Sequence, residues 1–382
     1  LIQIMKSENN SKPPYGSVSR LRQALNLLAT HNFSQIGTEE FINRGYSITD
    51  FAEARKLARA STPDFVLVNM PGRVGPAVTL GLNGFDAKVS WWWHGHPRFT
   101  PDMWDPIASP NPIYKALEKL AWNGYYGPVL RYAGKQDGVQ QVAITNYLAG
   151  SLVKEGLGPK DTIAITPPIT EVGLNYDKAV KVDIGIPEDD FVVLLPHRVN
   201  PEKQYHRVRN LVNALNEELI DRVLSKTGFR RLNFVFIGVD ETSEYASKAL
   251  PVRKGKLEVT RSPGQSKAQL EHFFARSQCM FLPNANEEYG LVTVEAMRFG
   301  IPILAINAGG PAEILDSVPD YPTMRLDPNK SEAEQVEAVG KFWSEYSHHK
   351  VTAQLMNEQV KHDFDPKLLA DKAITIFSRD QG

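Results

Sequence analysis

Two successive strand, loop and helix signatures constrain this chain more than any other feature in it. Residues 279–314 read CMFLPNANEEYGLVTVEAMRFGIPILAINAGGPAEI. The apolar run 279–282 stops at Pro283 and a polar cluster, as a buried strand does where it meets a loop. Leu291, Val294, Ala296, Met297 and Phe299 then recur at near-helical spacing until Gly300, a C-cap residue. A second apolar run, 301–306, is followed by Asn307, Gly309 and Gly310, and Pro311 takes a first helical position. This is the pattern of a parallel α/β layer, whose loops gather at the carboxyl ends of the strands. There the helix N-termini offer N–H groups and a positive dipole end to an anion.

Two carboxylates stand in this unit, Glu287 in the loop and Glu295 about one and a half turns into the helix. A carboxylate accepts hydrogen bonds from two neighbouring hydroxyls, so it can hold a vicinal diol while the helix end holds an anion. A nucleotide sugar presents a sugar ring, a diphosphate and a ribose, and so matches both.

The spacing of Glu287 and Glu295, with Tyr289 and Gly290 between them and Ala308, Gly309, Gly310 and Glu313 after them, resembles the retaining glycosyltransferases of family four. The resemblance implies the GT-B architecture, an α/β fold with two Rossmann-like parallel-sheet domains facing a central cleft. It implies that Glu287 contacts the donor sugar, that Glu295 contacts the ribose hydroxyls, and that the amides at Gly290 and Leu291 face the diphosphate. Upstream, the run 191–195 leads straight into PHRVNPEKQ. Arg198 and Lys203 there match a family pair that reaches the donor diphosphate. Two such cations stabilise the charge that a departing nucleoside diphosphate gains, without a metal.

The chain departs from the family on either side of that pair: His197 stands where the family carries Gly before the Arg, and Gln204 where it carries Gly after the Lys. Arg261 opens the turn 261–264 after a strand read at 256–260, where the family's backbone approaches the nucleobase. His94, ending the run 88–93 in WWWHGHP, matches a His that faces the donor sugar. Gly16 is the one glycine in the first strand-to-helix loop, where the family has a Gly-rich turn. The sequence PPIT replaces the family's Asn-Gly-Val-Asp turn near residue 167.

At 382 residues the chain exceeds what one core usually supports, so two domains are expected. They are read as 1–172, an acceptor-side Rossmann-like domain, and 173–362, a nucleotide-sugar-binding one. Residues 363–382 are read as a helix crossing back to the first, with Asp365 as cap, Pro366 at its start and Leu369, Ala373 and Phe377 on one face. A net charge of −1 argues against a dedicated nucleic-acid binder. No apolar run approaches membrane-spanning length, and the chain is read as cytoplasmic. Cys279, inside an apolar run, is read as a core residue.

Residues 98–137 carry Trp104, Trp122, Tyr125, Tyr126 and Tyr132 among prolines and basic residues, and 113–122 reads as a short amphipathic helix. Tyr125, Tyr126 and Trp93 are the acceptor candidates. A peripheral membrane-surface patch is the rival reading, since the mixture of aromatic and basic residues suits either. Alternation along a strand is expected to turn at least one of Trp91, Trp92 and Trp93 away from the core.

The expected activity is transfer of a sugar from a nucleotide-diphosphate sugar, UDP- or GDP-linked, to an acceptor hydroxyl with retention at the anomeric centre. A glycan, a lipid-linked sugar, a protein or a small molecule can serve as acceptor. No attacking carboxylate stands out; the family is described by same-face attack, with the leaving phosphate taking the acceptor's proton, so no catalytic base is assigned. No cofactor is expected beyond the co-substrate, and no metal, because Asp240 after a strand lacks a second Asp. The alternatives are a catalytically degenerate binding protein of the same fold and a sugar-nucleotide epimerase, which would act without an acceptor. A dinucleotide oxidoreductase would need a G-x-G-x-x-G turn after the first strand, and none is there.

Overall fold

The apolar runs bounded by glycine and proline form parallel strands in two separate sheets. The computed structural model describes residues 2–3, 65–69, 76, 79–80, 88–95, 112–136, 138–165, 184–253, 255–327, 330, 332–365, 368–369 and 376. The chain divides into two compact units, one made of Leu1–Phe99, Asn111–Glu171 and Phe364–Gly382, the other of Thr100–Pro110 and Val172–Asp363. Among the described residues no helix is long and apolar enough to cross a membrane.

In the first unit, β1 (Ile2–Gln3), β2 (Phe65–Asn69), β3 (Lys88–Trp93), β4 (Val139–Ala143) and β5 (Ala164–Ile165) pair in that order, all parallel. Between β3 and β4 run α1 (Pro112–Ala121), a π-helical turn (Trp122–Tyr126) and α2 (Gly127–Gly134). After β4, Thr145 caps α3 (Asn146–Lys154) by accepting from the Leu148 N–H at 3.0 Å. Residue 376 joins this unit through its carbonyl, which accepts from Gln140 Nε2 at 3.1 Å.

All three tryptophans of β3 are buried, at 0, 1 and 1% exposure for Trp91, Trp92 and Trp93. Parallel sheets bury both faces, so alternation along β3 sends the indoles to two packed sides and leaves none in solvent. Trp91 donates to Thr79 Oγ1 at 2.9 Å and Trp93 to Gln141 Oε1 at 2.6 Å, and their rings meet edge to face with centroids 5.9 Å apart. The amphipathic helix expected near residue 113 is α1, and its apolar stripe faces solvent: Ile113, Leu117 and Leu120 are 67, 59 and 69% exposed.

The second unit carries β6 (Asp190–Leu195), β7 (Arg231–Ile237), β8 (Leu257–Ser262), β9 (Cys279–Leu282), β10 (Ile303–Ile306) and β11 (Thr323–Leu326). Its helices are α4 (His206–Ala214), α5 (Glu217–Thr227), α6 (Glu244–Ala249), α7 (Lys267–Arg276), α8 (Leu291–Arg298), α9 (Gly309–Ser317), α10 (Glu332–Ser344), α11 (Tyr346–Leu355) and α12 (Asn357–Asp363). The strand order is β11-β10-β9-β6-β7-β8 with every pair parallel. This is the doubly wound order, in which the chain builds outward from β6 on one side and then returns to build on the other.

Alternate residues of β6 serve the two faces. Phe191, Val193 and Leu195 join Phe234, Phe236, Tyr205, Leu211, Val223 and Trp343 in one core cluster. Phe274 of α7 stacks on Phe299, just past α8, with centroids 5.3 Å apart. Asp190 opens β6 wholly buried, and burial of a bare carboxylate would be prohibitive. It is satisfied by Arg231 Nε at 2.8 Å and Asn233 Nδ2 at 3.0 Å. Burial pushes the Cys279 thiol up to about 12, in keeping with its place in the core.

Candidate active site

The strand order reverses between β6 and β9, so the loops that leave these two neighbouring strands diverge and open a crevice at their carboxyl ends. The loop after β6 carries His197, Arg198, Lys203 and Gln204, and the loop after β9 carries Asn284 to Gly290. Their meeting point is an ion pair: Lys203 Nζ lies 2.5 Å from Glu287 Oε2, with the two side chains 20 and 19% exposed. Asn284 Nδ2 donates to the same oxygen at 3.1 Å. On its own, burial would raise the Glu287 pKa. Lys203, His197 and the hydrogen bonds from Lys203 and Asn284 outweigh it and hold the carboxyl below the ordinary range.

The backbone that presents Lys203 turns through Pro201–Lys203, a single 3₁₀ turn with proline at its start. It ends at Gln204 with φ 54° and ψ 44°, the left-handed region where glycine is at home. A glutamine holds that conformation because its side chain is engaged: Oε1 accepts from the Ala285 N–H at 3.0 Å and from Arg207 Nε at 3.2 Å. Gln204 therefore stitches the β6 loop to the β9 loop and sets Lys203 opposite Glu287. Glutamine is not a turn residue; the signal was the glycine that the resembling family carries here, the residue at home in a left-handed turn.

His197 is 8% exposed, and its carbonyl accepts from the buried Tyr205 hydroxyl at 2.9 Å. Arg198 is exposed. A Cβ on Gly238, whose φ is +78°, would stand 3.0 Å from the Arg198 Cα, so glycine at 238 is what lets the β7 turn approach the arginine. Gly238 accepts from the Val199 N–H at 3.2 Å and donates to the Pro263 carbonyl at 3.4 Å. The turns after β6, β7 and β8 are thus tied together. Arg261 lies within β8 opposite Phe236, not after the strand, because the ladder continues to Ser262 opposite Ile237.

Gly290 caps α8 at φ +82°, and a Cβ there would meet Pro311 Cγ at 2.7 Å and Glu287 Cγ at 3.3 Å. Leu291 is the first residue of α8, whose opening amides have no partner inside the helix. Glu295, in the second turn of α8, is 5% exposed, which rules out a solvated surface charge. The Gly309–Gly310 turn packs on the Glu287 loop, with the Gly310 N–H donating to the Glu287 carbonyl at 2.7 Å.

In the first unit, His94 follows β3 with its ring 4.7 Å from that of Trp92. Its Nε2 is buried without a partner among the described residues, and burial pushes the imidazole down to about 4. The expectation for Trp93 is corrected: an indole 1% exposed, packed on Trp91 and bonded to Gln141, has no face to offer a sugar. Tyr125 and Tyr126 fall in the π-helical turn, a rare conformation that sequence periodicity does not reveal. Gly16 lies outside the described residues.

Residues 177–353 match the family model described as glycosyl transferases group 1. A D-inositol 3-phosphate glycosyltransferase of Streptomyces scabiei is 27% identical over 202 residues, 49% of this chain and 43% of that protein. The human alpha-1,3/1,6-mannosyltransferase ALG2 is 26% identical over 245 residues, 60% of this chain and 56% of that protein. The chain spans less than half the length of the inositol-phosphate relatives it matches. Among solved structures, Anabaena Alr3699/HepE in complex with UDP-glucose aligns over 99% of both chains with a TM-score of 0.61 at 12% identity. WaaG, a glycosyltransferase involved in lipopolysaccharide biosynthesis, aligns over 99% of both chains with a TM-score of 0.62 at 14% identity. These structural likenesses show the fold, which is the GT-B class that the motifs imply.

Proposed function

With residues 177–353 those of a group 1 glycosyl transferase, we propose that the chain transfers a sugar from a nucleotide-diphosphate sugar to an acceptor hydroxyl with retention at the anomeric centre. The observation that carries this reading is the 2.5 Å pair of Lys203 and Glu287 at the switch point of the second sheet. An entering donor exchanges that pair for two better-matched ones. The diphosphate takes Lys203 and Arg198, and a sugar hydroxyl takes Glu287. The α8 amides after Gly290 face the diphosphate, Glu295 holds the ribose, and Arg261 to Gly264 lie toward the base. Charge growing on the departing diphosphate meets cations already in place, which lowers the barrier without metal or cofactor. The resemblance assigns His94 to the donor sugar, and Tyr125 and Tyr126 remain the acceptor candidates.

UDP is the first nucleotide to test, because the HepE structure is a complex with UDP-glucose. The test is thermal melting with UDP, GDP, ADP and their sugar derivatives in metal-free buffer. A ligand at about 100 times its dissociation constant adds ~2.7 kcal/mol to the folded state. One nucleotide should raise the melting temperature, and Arg198→Ala should lose most of that rise. No shift with any nucleotide would end the nucleotide-sugar reading, and a shift without sugar transfer to any acceptor would leave the catalytically degenerate binding protein in its place.

We place the enzyme in the cytoplasm, working on a glycan, lipid-linked sugar, protein or small molecule, with α1 resting on a membrane surface. The support is the exposed stripe of Ile113, Leu117 and Leu120 with Lys119 beside it. Sedimentation with anionic lipid vesicles should carry the protein down, and Leu117→Ser with Leu120→Ser should release most of it. Equal binding by both proteins would end that assignment.

A further inference from the structure

The donor site contains a buried polar side chain, at the end of β6, that no role above uses. His197 lies at the end of β6, between the strand and Arg198, in a position where the resembling family carries glycine. Its Nε2 is buried and has no hydrogen-bond partner among the described residues. Tyr205 satisfies only its backbone carbonyl. A core histidine kept for packing normally settles its ring nitrogens, because an orphaned buried polar atom costs about 1–3 kcal/mol. The ring stands on the loop after β6 that also carries Arg198 and Lys203, the loop that meets Glu287 at the ion pair. The ring therefore belongs to the same loop as the lysine that an entering donor would take, next in sequence to Arg198.

We propose that His197 is a donor-sugar contact, its Nε2 hydrogen-bonded to a hydroxyl of the transferred sugar. The inference rests on the donor-site reading given above and deepens it by naming which part of the donor the ring reads. The chemistry favours the sugar over the diphosphate. Burial first, and Lys203 second, push the imidazole down to about 4 against the opposing pull of Glu287, so the ring is neutral at neutral pH. A neutral imidazole donates at one nitrogen and accepts at the other, and a hydroxyl does both. A phosphate oxygen only accepts and is better served by the cations already present. A ring in the place of glycine also fills volume, so it selects among sugars by shape as well as by hydrogen bonding.

The experiment is calorimetric titration of UDP and UDP-glucose, or of GDP and GDP-mannose if those are the pair that shift the melt, into the wild type and His197→Ala. The nucleotide sugar should bind about 3–10-fold more weakly to the variant, the value of one neutral hydrogen bond, while the bare diphosphate changes by less than twofold. Equal loss for both ligands, or no loss for either, overturns the proposal. NMR of wild-type protein with isotope-labelled histidine reads the same contact without a variant. The Nε2 resonance should move clearly further with the nucleotide sugar than with the diphosphate, and equal movement with both would overturn the assignment. If no nucleotide binds the wild type, it is the donor-site reading that has failed, and this inference falls with it.

Discussion

Replacing Lys203 by alanine should lower turnover by about 10²–10³-fold, the usual effect of removing one preorganised charge from a site where negative charge develops. The lysine has two tasks, and the variant separates them by pH. In the proposed role its ammonium meets the diphosphate, and in the structure it holds Glu287 ionised from 2.5 Å away. Glu287 has a lowered pKa in the folded protein although burial works to raise it. A depressed carboxylate lends its stabilisation above its unfolded pKa and loses it as pH falls through the folded one. Without Lys203 the carboxyl loses its largest opposing charge and a hydrogen bond, so burial prevails and the Glu287 pKa rises. The acid limb of the pH–rate profile should therefore move to higher pH in Lys203→Ala. Lys203→Arg keeps the charge and should restore the acid limb, while its rate stays below wild type because a planar fork replaces a compact ammonium. Steady-state rates across the acid range decide this; a wild-type rate and profile in Lys203→Ala would remove the lysine from the chemistry.

The parts of this site that could be read from the sequence were those carried by residue type. Apolar runs ending at glycine and proline announced β6, β9 and β10, and their succession implied a parallel sheet with loops at one end. Arg198 and Lys203 were singled out because the loop resembles the family there, and Glu287 and Glu295 because a carboxylate can hold a vicinal diol. What stayed hidden depends on contacts between distant residues. Gln204 holds a left-handed turn through a bond to Ala285, 81 residues further on, and glutamine carries no turn preference that would disclose it. The end of β8 was set short because Arg261 and Ser262 are polar, yet an edge strand can expose such side chains while its backbone stays paired. Trp93 was misjudged because alternation along a strand says which residues share a face and not whether the other face is also covered. His197 drew notice only as a departure from glycine; its unpartnered Nε2 is a fact of packing.

Gly310→Ala should lower turnover by about 100-fold, although no atom of residue 310 is assigned to a substrate. The restraint at this glycine is contact rather than backbone conformation. A Cβ would stand 2.3 Å from the Glu288 carbonyl oxygen, 2.4 Å from the Tyr289 Cα and 2.6 Å from the Glu288 carbonyl carbon. All three are backbone atoms, so no rotamer change relieves them, and either the start of α9 or the loop after β9 must move. That loop carries Glu287 and ends at Gly290, the cap of α8, and the 2.7 Å bond from the Gly310 N–H to the Glu287 carbonyl would break with the movement. A displacement of about 1 Å in a positioning element is enough for a loss of that size. Gly150→Ala is the matched control: nothing lies within 4 Å of its Cβ position, and it sits inside α3 of the first unit. Alanine is the better helix former there, so the control should keep full activity and melt no lower than wild type. In Gly310→Ala, calorimetric titration with the bare diphosphate should show weakened binding as well, because the α8 amides travel with the loop. Turnover within twofold of wild type would mean that this packing does not position Glu287, and the carboxylate would lose its place at the donor sugar.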